Sequence, residues 1–206
     1  SSILTAGGGT TGWARSLYQI DATYHSIADR QTLQTTRSSL VETDSRRTLT
    51  TLVEGSNGQL LTFSQSIPPG AKPPKWKTLK IAPARDLYAG MLFIRSQKLD
   101  PGDIVRLVIF PGGSPFLVEI ESRGSENVVL ADGPREALRL DLKIQRVNTK
   151  KGNTLEPHSK FRSGKIWLSN DQFRLPLRAE VDIFIGYVFA EIAGFEWLGA
   201  EKLKTP

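Results

Sequence analysis

From Trp13 onward, apolar and polar side chains alternate along the chain. Tyr18, Ile20, Ala22 and Tyr24 fall on one face of an extended segment, with Gln19, Asp21, Thr23 and His25 on the other. A period of two is that of a half-buried strand. The segments QTLQTTRSSLVET and RRTLTTLVEG add the Thr and Val content that suits a pleated surface. Asn57-Gly58, between VEGS and QLLTFSQ, has the chemistry of a two-residue hairpin turn. Pro68, Pro69, Pro73 and Pro74 follow closely, so a long surface connection is expected over about residues 66–83.

One stretch departs from this period. Asp86 is a good N-cap, and Leu87, Met91 and Ile94 share a face at helical spacing, which predicts a helix over about residues 86–97. It should end before Asp100-Pro101-Gly102. Strand patterns resume in DIVRLVIF, PFLVEIES, ENVVLAD, REALRLDLKIQRV, KIWLSN and LRAEVDIFIGYVFAEI. Leu138, Leu140, Leu142 and Ile144, alternating with Arg139, Asp141, Lys143 and Gln145, give the clearest dry and wet faces. Many strands with one helix predict an all-β fold and argue against βαβ units. The expectation is a single strongly curved antiparallel sheet wrapped around one α-helix. Residues 1–12 (SSILTAGGGTTG) read as a flexible lead-in, and 13–206 as one β-rich domain.

At 206 residues the chain can bury a sizeable core without staples. It has no Cys, which excludes disulfides, Cys-ligated zinc, iron–sulfur clusters and thiol catalysis. Net charge is +6, gathered mainly around Lys72, Lys75, Lys77 and Lys80 and around Lys150, Lys151 and Lys160. These lysines lie beside Pro, Gly and Asn, as solvated loops do, so a nucleic-acid partner is not expected. No apolar run reaches the ~18 to 20 residues of a membrane-spanning helix. The chain opens on Ser1-Ser2, which reads as a trimmed start with any signal peptide upstream.

The chemistry-bearing residues are sparse. His25 and His158 are the only histidines and stand far apart, in no metal or triad spacing. Glu119 with Glu121, and Glu180 with Asp182, share strand faces at roughly 6.5 to 7 Å, a separation some glycosidases use. Their charged neighbours, such as Arg178, suggest solvated carboxylates rather than a raised-pKa acid. The glycines of the first residues lack the Lys-Ser/Thr ending of a phosphate loop. No cofactor or metal and no enzymatic activity is expected.

In KIWLSNDQFRLPLRAEVDIFIG, Ile166 and Leu168 face one way while Lys165, Trp167 and Ser169 face the other. Asn170-Asp171-Gln172 is turn chemistry, and Pro176 belongs at an edge or bulge. The run continues apolar on both faces through YVFAEIAGF, with a bend at Gly186 and more apolar material than a single core face requires.

Taken in order, several motifs resemble the bacterial envelope family known as domain of unknown function 3108 (DUF3108). They are Asp86-Leu87 opening a helix, Phe93-Ile94-Arg95, Leu99-Asp100-Pro101-Gly102-Asp103, Ile166-Trp167-Leu168-Ser169, Asp171, Arg174-Leu175-Pro176 and Ile185-Gly186. The resemblance covers about residues 83–192. It implies an exported protein, periplasmic or associated with the outer membrane, with a half-barrel fold like the lipoprotein carriers and no established catalytic residues. The matching polar positions, together with Trp167, make Arg95, Trp167, Ser169, Asp171 and Arg174 the candidate ligand contacts. Framework roles are nonetheless preferred for these polar positions: Asp86 as helix cap, Asp171 as turn, and Arg95 and Arg174 as partners of carboxylates inside the sheet's bend. The expected function is a non-enzymatic binder of an apolar or amphiphilic ligand, such as a lipid or cell-wall intermediate. The alternatives are an adaptor for an envelope protein partner and, last, a hydrolase of envelope polymers.

Overall fold

The computed structural model describes residues 1–9, 19–56, 58–68, 73–157, 163–183 and 186–192. Alternation delivers what it promises locally: the described chain is mostly antiparallel strand, with one α-helix. The strands nevertheless form two sheets rather than one, and neither is closed or strongly curled. The first sheet orders β1 (Ser2–Gly9), β2 (Ile20–Ala28), β3 (Thr35–Asp44), β4 (Thr48–Ser56), β5 (Gln59–Ile67) and β6 (Lys77–Thr78) in chain sequence. The second runs β13 (Gly186–Glu191), β12 (Pro176–Ile183), β11 (Ser163–Ser169), β9 (Gly133–Asn148), β8 (Phe116–Leu130) and β7 (Ile104–Ile109), with β10 (Thr154–Pro157) also paired to β9.

The division has a local cause. Only Leu61↔Thr78 and Thr62↔Lys77 pair β5 with β6. Pro73 and Pro74, a few residues before β6, have no N–H to carry that ladder further. The chain then enters α1 (Leu87–Arg95) and begins a new sheet. Hydrophobic alternation records which face is dry and says nothing about where a hydrogen-bond ladder is cut.

The chain groups into two compact units, where one domain is expected from its length and pattern. Unit 1 comprises Ser1–Lys98, Val105–Glu119 and Ile144–His158; unit 2 comprises Leu99–Ile104, Ile120–Lys143 and Ser159–Pro206. In unit 1, Val53, Leu60, Leu79, Ala84 and Phe110 form a buried cluster, with Ile81 and Val108 packed against it. In unit 2, Val128, Leu130, Ala137, Trp167 and Leu177 form another. Fully burying an aliphatic or aromatic side chain of this kind stabilises by about 1.5–3 kcal/mol.

Asp86 starts the helix as its sequence suggests. Its Oδ1 accepts from the Ala89 N–H at 2.8 Å and its Oδ2 from the Ser26 hydroxyl at 2.7 Å. Its own N–H donates to Thr35 Oγ1 at 2.8 Å. The buried helix face is Ala89, Gly90 and Ile94. Leu87, expected on that face, is instead half exposed. Small residues decide the seating. A Cβ at Gly90 would lie 2.2 Å from Ile109 Cδ1, so the helix approaches β7 on its Ala89–Gly90 side. Arg85, just before the cap, is buried; its Nε–H donates to the Leu33 carbonyl and its guanidinium lies 4.1 Å from the Phe93 ring centroid.

Turn chemistry is carried by aspartates. Asp29 Oδ1 accepts from the Gln31 and Thr32 N–H groups between β2 and β3. Asp44 Oδ1 does the same for Arg46 and Arg47 between β3 and β4. Such hydrogen bonds hold both carboxyls below the usual carboxylate range. Gly58, at φ +75°, closes the β4–β5 hairpin at Ser56↔Gln59, while Asn57 lies outside the described residues.

Two further expectations change. Residues 2–9 are not a flexible lead-in: they pair in register with β2, from Ser2↔Ala28 to Gly9↔Asp21. Backbone pairing needs no side-chain pattern, which is why the glycines conceal it. The long closing strand is a hairpin, with β12 and β13 meeting at Ile183↔Gly186 and residues 184–185 outside the described set. Its apolar excess is thereby shared between two strands.

Candidate functional site

Unit 1 holds a groove of about 1100 Å³. One wall comes from the end of the first sheet, where Lys75 precedes β6, Lys77 lies on it and Lys80 follows it. The other comes from Arg146, at the end of β9, and Lys150, in the short 3-10 turn Thr149–Lys151. All five cations are exposed. No ion pair is found for any of them among the described residues, and the groove lining contains no carboxylate. Leu79, Phe110 and Val147, which are 8%, 2% and 3% exposed, supply its apolar floor. Leu79 and Phe110 also belong to the unit 1 core cluster, so the floor is anchored by packing rather than by loop contacts.

Local structure fixes both walls. Leu79 N–H donates to the Leu60 carbonyl at 2.8 Å, tying the segment after β6 to β5. Val147 N–H donates to the Pro115 carbonyl at 2.9 Å, tying the end of β9 to the loop 111–115. Asn148 caps the 3-10 turn by accepting from Lys150 N–H at 3.1 Å, and its amide donates to Glu156 at 2.9 Å. The two basic clusters visible in the sequence, some seventy residues apart, therefore meet at one cavity. Lys72 and Lys160 lie outside the described residues, and Lys151 is 3.9 Å from Glu156. Trp76 sits between Lys75 and Lys77 in sequence; it is 45% exposed and packs on Phe63 at 5.4 Å between ring centroids.

The residues singled out from sequence are engaged elsewhere. Trp167 is 6% exposed in the unit 2 core, and its Nε1–H donates to Glu126 Oε1 at 2.7 Å. Ser169 donates to Asp171 at 2.8 Å and accepts from Leu175 N–H at 2.8 Å. Asp171 also accepts from the Phe173 and Arg174 N–H groups, closing the β11–β12 turn. Arg174 occupies that turn at φ +46°, a left-handed conformation unusual for arginine. Ser169, Asp171 and Arg174 are thus brought together as a turn. Arg95 lies in unit 1, in the last turn of α1.

Each carboxylate of the two pairs is bonded to a neighbour, three of the four to an arginine. Glu119 bonds Arg106 at 2.7 Å, Glu121 bonds Arg123 at 2.6 Å and Glu180 bonds Arg178 at 2.7 Å. Asp182 accepts from the Ser163 hydroxyl at 2.5 Å. Asp141 bridges Arg139 and Arg123, both at 2.8 Å. Burial pushes its carboxyl up, but the hydrogen bonds from the two arginines prevail and hold it below the usual range. His25 lies on β2 in unit 1, and His158 is outside the described residues. Among the described residues, no helix is long and apolar enough to cross a membrane.

The family described as "Protein of unknown function (DUF3108)" matches residues 4–193. The chain belongs to that family, and the match extends through the N-terminal half, where the motif resemblance did not reach. No curated protein and no solved structure matches the chain.

Proposed function

We propose that this member of the DUF3108 family is a non-enzymatic binding protein of the bacterial envelope, holding an anionic amphiphile in the basic groove of unit 1. The observation that carries this reading is the groove's own chemistry: five cations without a carboxylate partner among the described residues, around a floor of Leu79, Phe110 and Val147. Like charges gathered around one cavity repel each other, and an anion relieves that repulsion. The apolar floor favours an alkyl portion by about 25 cal/mol per Å² covered.

The non-enzymatic part of the proposal is supported by the paired carboxylates, each of which is already bonded to a cation or a hydroxyl. Envelope location is supported by the character of the family that the motifs resemble. The earlier candidates Trp167, Ser169 and Asp171 serve this proposal only as framework.

The test is calorimetric titration with two lipids of matched acyl chain, lysophosphatidylglycerol and lysophosphatidylcholine, both below their micelle concentrations. Saturable binding of the anionic lipid at least tenfold tighter than the zwitterionic one is expected. The preference should shrink at about 1 M salt, where the Debye length falls to roughly 3 Å. Equal affinity for the two lipids, or binding of neither, overturns the proposal.

A further inference from the structure

We infer that one end of the groove is a phosphate-ester subsite, formed by the backbone N–H groups of Gly112, Gly113 and Ser114 with the side chains of Arg146 and Lys150. This rests on the anionic-amphiphile reading above and names the chemistry of the charged end.

The loop is built to present its backbone. All three residues line the groove. None of them makes a hydrogen bond to another described residue, although a backbone N–H is an obligatory donor. Gly112 has φ +141°, a conformation open in practice only to glycine. A Cβ added at Gly113 would meet nothing within 4 Å, so the space over that peptide is open. The Val147 N–H to Pro115 carbonyl bond places this loop beside the strand end that carries Arg146. The Asn148 cap fixes the backbone of Lys150. Amides and cations without a partner among the described residues thus line one groove.

The donor set selects among anions. A carboxylate offers two oxygens and one charge. A phosphate monoester offers three terminal oxygens and, above its second pKa near 6, close to two charges. Three amides, a guanidinium fork and an ammonium exceed what a carboxylate can accept and match a phosphate monoester.

The experiment uses the full chain labelled with ¹⁵N, titrated separately with dodecyl phosphate, laurate, glycerol phosphate and a short single-stranded oligodeoxynucleotide. Dodecyl phosphate should bind about tenfold tighter than laurate, one added charge-assisted contact being worth that much. The amide protons of Gly112, Gly113 and Ser114 should move downfield with it. Its affinity should rise as pH passes upward through about 6, while that of laurate stays level. Arg146→Met should abolish the phosphate-over-carboxylate preference, and Arg146→Lys should restore part of it. If laurate binds as tightly as dodecyl phosphate and the three amides stay still, the subsite is wrong while the anionic-amphiphile reading stands. If glycerol phosphate binds as tightly as dodecyl phosphate and moves the same amides, the subsite stands and the amphiphile reading falls. Tighter binding of the oligonucleotide, or binding of no probe, overturns both.

Discussion

Replacing Asp86 with alanine removes three things at once, and the structure sizes each. Its Oδ1 is the N-cap acceptor for Ala89 N–H; losing such a cap costs about 1 kcal/mol, within a range of roughly 0.5–2. Its Oδ2 accepts from Ser26, a hydroxyl that is 0% exposed and would be left without that acceptor. An orphaned buried hydroxyl costs about 1–3 kcal/mol. The carboxyl is itself fully enclosed, so its space is left partly empty. The sum for Asp86→Ala is about 2–5 kcal/mol. Asp86→Asn keeps an oxygen for Ala89 N–H and offers an N–H₂ to Ser26 Oγ, so it should cost about 1 kcal/mol. Urea unfolding gives the totals, and amide exchange across residues 87–95 reads the effect where it acts. An alanine variant within 0.5 kcal/mol of wild type, or an asparagine variant as damaging as the alanine, would refute the assignment of Asp86 as the hub joining α1 to β2 and β3.

Tyr24→Phe should leave the protein as stable or more stable, by up to about 1 kcal/mol, because the buried Tyr24 hydroxyl has no partner among the described residues while Ser26 and Asp86 are bonded to each other. Burial, and then the charge of Asp86, push that phenol above its ordinary 10.0. Its contribution is therefore present below pH 10 and lost as pH rises towards the folded value, so Tyr24→Phe should also flatten the alkaline arm of a stability profile. Gly55→Ala should cost more than about 3 kcal/mol in chemical denaturation, since its Cβ would fall 1.7 Å from the Thr35 carbonyl oxygen. Gly58→Ala, at φ +75° in open space, should cost only about 1–2 kcal/mol. Asp141→Asn should destabilise by about 1 kcal/mol at pH 7. The wild-type carboxyl is depressed below 3.8, so its advantage is complete above that value and vanishes as pH falls through the lower folded pKa, and the two proteins should converge in acid.

Much of the local structure is legible in the residues themselves. Asp86 before an apolar 3.6-residue period announces α1, and Asn170-Asp171-Gln172 announces the β11–β12 turn, because caps and turns are satisfied by side chains within three residues. Leu138 and Leu140 are buried as their alternation implies. Long-range features leave no such trace. Strand β1 ends in three glycines, which carry no side-chain alternation to reveal its backbone pairing with β2. The helix seat depends on Gly90 meeting Ile109, a contact across nineteen positions. The split into two sheets follows from a two-residue β6 that no periodicity marks. The groove was half visible: both lysine clusters stand out, and each by itself looks like a solvated loop. Only the bond from Val147 to Pro115 and the packing of Leu79 and Phe110 in one core bring them to a common cavity. Conversely, Trp167 and Ser169 drew attention as uncommon residues in a distinctive motif, and their hydrogen bonds are spent inside unit 2.

The most direct test of the groove as ligand site is intermolecular nuclear Overhauser spectroscopy of the full chain with lysophosphatidylglycerol. Cross-peaks from the acyl chain to the methyl groups of Leu79 and Val147 and to the ring of Phe110 are the result expected. A lipid that binds yet shows its contacts only to unit 2 side chains, such as Leu177 and Val128, would contradict the account.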